Sequence, residues 1–212
     1  MLKNITINGK KIEYRKWKVK DKIKLDKCSK IIDKRKVVVY DCLTNKVNLD
    51  ADEYNYVLSL IRDFSLHSDI TFTIECPECG NVETITLPVS EIVSFREADY
   101  SPIVTDKLII ELDDVKDNYE EIISSVNNKL EKYITDFMLH IKTVNGNTLT
   151  LEELNTFIND MDVDVFEKIL FEWDKKKSKY SCVKDIQCSE CKALFTCDLQ
   201  NMNDFFPKSW KI

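Results

Sequence analysis

Glycine and proline are scarce, three and four in 212 residues. That leaves no room for a flexible linker, a proline-rich spacer or a low-complexity tract. Histidine is rarer still: His67 and His140 lie far apart, in no metal or nucleophile motif, and each reads as a surface or helix-edge residue rather than a catalyst. The chain has no phosphate-binding glycine loop, no Gly-x-Ser-x-Gly elbow and no His-Glu-x-x-His. No apolar run approaches the length needed to span a bilayer. Met1-Leu2-Lys3-Asn4-Ile5 leads into alternating sequence rather than the apolar stretch of a cleavable signal. The expectation is a soluble protein of a reducing compartment, with no membrane partner, no small-molecule substrate and no enzymatic activity.

What is present is enough apolar sequence for a sizeable core, 43% of residues, in a chain that is 32% charged with a net charge of −6. The charge is unevenly spread. Residues 1–36 carry 14 Lys or Arg against 4 Asp or Glu, leaving about −16 for the rest. Such a segment meets nucleic acid electrostatically, or forms a lysine-rich face that docks on the acidic remainder or on an acidic partner. The acidic total favours the second.

Taken in order, Ile5-Thr6-Ile7 and Lys11-Ile12-Glu13-Tyr14 alternate around Asn8-Gly9, which predicts a hairpin. Ile23, Leu25, Cys28, Ile31 and Ile32 predict one amphipathic helix over 20–34, and Lys36 to Leu43 is ambiguous between strand and short helix. Asp50 and Glu53 form a capping-box pattern ahead of Tyr54, Val57, Leu58, Ile61 and Phe64 at helical spacing. After Leu87 comes an irregular stretch, then a strand at Lys107 to Leu112. Tyr119 through Met138 predicts a helix of about five turns with Asp117 near its start. Asn145-Gly146 suggests a small hairpin or tight connection between Ile141–Val144 and Thr148-Leu149. Thr150 and Glu153 form a second capping box, opening a short helix with Leu154, Phe157 and Ile158; Val165 to Trp173 defines another, ending in three lysines. Acidic clusters such as Asp113-Asp114 and Asp160 to Asp164 have the spacing of helix caps and solvated faces. Phe205-Phe206 and Trp210 close the chain, covering the ribbon or contacting a partner.

The chemistry sits in eight cysteines. Cys76-Pro77-Glu78-Cys79-Gly80 lies between strand-like runs at Asp69–Ile74 and Val82–Leu87, and Cys188 and Cys191 lie between Val183–Ile186 and Ala193–Thr196. Two thiolates on one tight turn bind one face of a tetrahedral ion, and two such turns complete a closed site with no position open for water. Cys76, Cys79, Cys188 and Cys191 are therefore the candidate ligands of one structural Zn²⁺. Gly80 suits the reversal after the second ligand. Two alternatives stand beside this one: disulfides, or buried thiols that never meet. Cys28, Cys42, Cys182 and Cys197 remain over, the last two near enough to the second turn to be alternative ligands with poorer spacing.

Three stretches resemble the baseplate protein family of T-even-type contractile-tailed phages. Tyr14-Arg15-Lys16-Trp17-Lys18-Val19-Lys20-Asp21 is similar to the family's Arg-Pro-Phe-x-Val-Lys-Glu-Glu entry into its first helix, with Lys16 in place of proline and Trp17 in place of phenylalanine. Asp52-Glu53-Tyr54 through Leu58, Ile61 and Arg62, running into Cys76 and Cys79, resembles the helix before the family's first knuckle. Leu151-Glu152-Glu153-Leu154, Phe157-Ile158, Cys188, Cys191, Leu199 and Asp204-Phe205-Phe206 resemble its closing segment, although Gln200, Asn201 and Met202 stand where the family has a glycine.

The resemblance implies a non-enzymatic component or assembly factor of the baseplate hub. It would work in the host cytoplasm during assembly or, as a hub component, also in the virion tail baseplate, with other baseplate and hub proteins as partners. A zinc-ribbon nucleic-acid-binding regulator is the alternative. The fold expected is α+β: a zinc-ribbon-like pair of hairpins, with halves at 69–100 and 180–212. An inserted helical subdomain lies at 101–179 and an N-terminal hairpin with helices at 1–68.

Overall fold

β1 (Leu2–Ile7) and β2 (Lys10–Arg15) form the expected antiparallel hairpin, with Ile5 opposite Ile12. Its two-residue turn needs positive φ at both central positions, which Asn8 (49°) and Gly9 (75°) supply. The computed structural model describes residues 1–115 and 117–199. The contacts expected of Phe205, Phe206 and Trp210 lie outside the described residues.

The helix expected over 20–34 is two helices, α1 (Val19–Leu25) and α2 (Ile31–Val38). After Leu25 the chain tightens, Lys27 N donating to Lys24 O and Cys28 N to Leu25 O, and Lys30 is extended. No single apolar face runs through both: Asp21 and Leu25 point inward from α1, Val37 and Val38 from α2, while Ile23 and Ile31 are exposed. Buried Asp21 accepts from both Arg15 nitrogens at 2.6 and 2.9 Å and from Lys18 N at 2.7 Å, so its charge is paired. Tyr40–Cys42 forms a single 3₁₀ turn in the stretch where the pattern was ambiguous.

α3 (Ala51–Leu66) starts at the expected capping box, Glu53 N donating to Asp50 Oδ1 at 2.7 Å and Asp50 N to Glu53 Oε2 at 2.8 Å. Tyr54, Val57, Leu58, Ile61 and Phe64 are buried against Ile7, Ile12, Tyr14, Val37 and Val38, which makes a first core. The helix stops at His67, which is exposed and left-handed at φ 48°.

β3 (Ile70–Glu75) and β4 (Val82–Leu87) pair antiparallel in register Ile70 with Leu87. The following stretch, expected to be irregular, holds a single helical turn, α4 (Val89–Ile92), and β5 (Val93–Arg96). Four residues are too few for alternation to reveal a strand whose partner lies far along the chain.

β6 (Ile103–Val104) and β7 (Ile109–Leu112) lead to the region expected as one five-turn helix. It too is broken, into α5 (Tyr119–Ser125) and α6 (Lys129–His140). Val126 is extended, and Asn128 caps α6 by accepting from Leu130 N at 2.8 Å and Glu131 N at 3.2 Å. An asparagine side chain that competes for backbone donors favours such a restart. β8 (Ile141–Val144) pairs with β7, and of the two expected forms Asn145-Gly146 takes the tight connection, closing on Asn147. α7 (Leu151–Asn159) keeps the Thr150 capping box, and α8 (Val163–Lys176) follows. Ile103, Ile110, Phe137, Leu154, Ile169 and Trp173 centre a second core.

β9 (Lys179–Gln187) pairs with β5 on one side and with β10 (Leu194–Asp198) on the other. Ile70, Phe72 and Ile74 of β3 meet Tyr180, Cys182 and Ile186 of β9 in a third core. This packing brings the two cysteine turns together.

His140 corrects the reading of it as a surface or edge residue. It ends α6 but is only 3% exposed, between Trp173 and Tyr119. A lone histidine carries no periodic signal, so nothing in the sequence marked it as buried.

Candidate metal centre

The two cysteine turns are built alike, bond for bond. Cys76 N donates to Asn81 O at 2.8 Å and Gly80 N to Cys76 O at 2.9 Å; Cys188 N donates to Ala193 O at 2.9 Å and Lys192 N to Cys188 O at 3.1 Å. Each turn reverses through a left-handed residue four places after its first cysteine, Gly80 at φ 70° and Lys192 at φ 62°. Gly80 was legible as such a position. Lys192 was not, because a lysine carries no signal for positive φ; the equal spacing from Cys188 was the available clue.

Across the turns, Cys76 Sγ lies 3.6 Å from Cys191 Sγ and Cys79 Sγ 3.7 Å from Cys188 Sγ, with all four sulfurs within 4.8 Å of one another. Sulfurs at 2.3 Å from a tetrahedrally bound ion stand about 3.8 Å apart, so the donor set fits Zn²⁺ in number, type and spacing. A disulfide requires about 2.05 Å, and all eight cysteines are free. Cys76 and Cys188 are buried while Cys79 and Cys191 are exposed, so one side of the cluster faces solvent. Cys182 and Cys197, the alternative ligands, stand on β9 and β10 against the third core, and burial pushes both thiols up. Neither belongs to the sulfur cluster.

The second turn is tied to the first hairpin by one carboxylate. Glu83 Oε1 accepts from Ser189 N at 2.7 Å, Ser189 Oγ at 2.8 Å and Asn81 Nδ2 at 2.9 Å, and the Ser189 amide holds this carboxyl below its ordinary range. The backbone N–H of Cys191 lowers the Cys188 thiol to about 7. Cys79 moves the other way: its bond from the Asn81 backbone is outweighed by the other thiols, which push it up to about 12. Four thiolates this close together need a cation to offset their charge.

Among the described residues no helix is long and apolar enough to cross a membrane. Comparisons with curated proteins and with solved structures give no match. The family model described as T4 bacteriophage base plate protein matches residues 1–207, a span that includes both cysteine turns and the three cores described above. The chain therefore belongs to the T4 bacteriophage base plate protein family.

Proposed function

We propose that the protein is a non-enzymatic component or assembly factor of the baseplate hub, working through protein contacts on a scaffold held by one structural zinc. The observation that carries this reading is the convergence of four sulfurs within 4.8 Å in a chain whose family match covers residues 1–207. Cys76, Cys79, Cys188 and Cys191 would hold the ion. When bound, zinc supplies folding free energy, on the order of 10 kcal/mol in small zinc peptides at neutral pH. A closed set of four thiolates leaves no site for substrate or water, so its use is structural.

On this reading the ribbon halves, 69–100 and 180–212, clamp the two ends of the helical subdomain at 101–179, and 1–68 packs alongside. The β9 strand supports that arrangement. It pairs with both β5 and β10, and its side chains share a core with β3, so the metal turns, the exit from α8 and the chain after α4 are joined by one strand.

Partners are other baseplate and hub proteins, met in the host cytoplasm during assembly. The test is affinity purification of the tagged full chain from phage-infected cells, in low and in high salt. Hub proteins retained in stoichiometric amount support the reading. Nucleic acid retained at low salt and lost steeply as salt rises, without tail proteins, overturns it in favour of a nucleic-acid-binding regulator.

A further inference from the structure

The first turn of α3 is a buried polar junction. Asp50 Oδ2 accepts from Ser178 Oγ at 2.6 Å, Asp52 Oδ1 from Tyr180 N at 3.0 Å, and Glu53 from Lys10 Nζ at 2.6 Å and Asn8 Nδ2 at 2.7 Å. These bonds join the N-terminal hairpin, α3 and the start of β9. The second core reaches the same place through His140 and Trp173, and there the hydrogen bonding is incomplete.

His140 Nδ1 lies 2.8 Å from the Asp136 carbonyl oxygen. A carbonyl only accepts, so Nδ1 carries a proton, and in a neutral ring Nε2 is then an acceptor. Nε2 faces Asp50 Oδ2 at 4.0 Å, too far for a direct bond. Two acceptors facing each other at that distance need a donor between them. Trp173 Nε1 is the complementary case: it is fully buried and is the one buried side-chain nitrogen or oxygen without a partner among the described residues. Its ring lies 4.7 Å from that of His140, centre to centre.

Asp50, His140 and Trp173 all line one cavity of about 10 Å³. That is about the smallest space that holds a water molecule. We propose that a single water is bound there, accepting from Trp173 Nε1–H and donating to His140 Nε2 and Asp50 Oδ2. It would make three hydrogen bonds, the usual number for a buried water, and would satisfy every polar atom left over at the junction. The water is then a structural ligand that joins the α6–α8 core to the capping residue of α3, a link that no direct side-chain bond between Trp173 and Asp50 supplies.

Nuclear magnetic resonance on the ¹⁵N-labelled full chain tests this without any mutation. The Trp173 indole Hε1, assigned by through-bond connection to its own backbone, is expected to show a cross-peak to water of the sign given by a long-lived bound molecule. The His140 ring is expected as the neutral tautomer with its proton on Nδ1. Either an indole proton with no water cross-peak, or a His140 ring protonated on Nε2, would overturn the assignment.

Discussion

The equivalence of Gly80 and Lys192 makes a quantitative prediction. Both residues occupy the left-handed region, at φ 70° and 62°, in turns with the same two backbone hydrogen bonds. A side chain there costs roughly 1–2 kcal/mol through the clash of Cβ with the backbone, and glycine offsets part of that by its greater freedom in the unfolded chain, roughly 0.5–1 kcal/mol. Lys192→Gly should therefore stabilise the fold by about 0.5–1 kcal/mol. It loses an exposed bond from Lys192 Nζ to Ser189 O at 2.7 Å, which trims the gain. Gly80→Ala should do the reverse and destabilise by about 1 kcal/mol. The added Cβ would meet only Glu75 Oε1, at 3.8 Å, an ordinary contact, so the cost is conformational rather than steric. Equilibrium urea unfolding of both variants and the parent, at fixed metal loading, reads the two effects. Destabilisation by Lys192→Gly, or no effect of Gly80→Ala, would refute the equivalence of the turns.

Three further outcomes follow from named groups. Burial holds the Asp52 carboxyl up at about 6, above its ordinary 3.8. The folded state then keeps a proton that the unfolded chain releases, so stability falls as pH rises from about 4 to 6 and stays lower above. Asp52→Asn keeps an acceptor for Tyr180 N, should flatten that slope, and should raise stability at pH 8 by on the order of 2 kcal/mol; urea melts showing the parent's slope unchanged would contradict it. Thr150→Ala removes the cap that accepts from Glu153 N and should cost about 1 kcal/mol by thermal melting, whereas an unchanged melting temperature would show the α7 cap to be idle. Glu83→Gln keeps one acceptor oxygen but loses the charge that Ser189 N and Oγ share, and should speed hydrogen exchange at the Ser189 amide severalfold; equal exchange rates would remove Glu83 as the tie between the turns.

The parts of the fold written in local chemistry were legible. Asn8-Gly9, the Asp50–Glu53 and Thr150–Glu153 boxes, and the two cysteine turns with their flanking strands each declare themselves within a few residues. The failures share a cause, which is that tertiary contacts decide them. The helices expected over 20–34 and 119–138 had acceptable spacing, yet Ile23 and Ile31 face solvent and Asn128 finds the donors of a new first turn. β5 exists because β9 offers it an edge. His140 is buried by Trp173, 33 positions away, and Lys192 accepts a left-handed conformation because its turn must match the one at Gly80. At the candidate metal centre the ligand types and spacings were readable, while Glu83, Asn81 and Ser189, which join the two turns, were not, since their pairing spans more than 100 residues.

The most direct test of the zinc-held scaffold is native mass spectrometry of the purified full chain, before and after treatment with a strong chelator, together with the Cys79→Ser variant. The account predicts one zinc per chain in the parent and none after chelation. It further predicts no stoichiometric zinc in the variant, with new protease cleavage between residues 69 and 90 wherever the metal is lost. A folded, protease-resistant parent of metal-free mass would contradict it, as would a Cys79→Ser variant with unchanged zinc content.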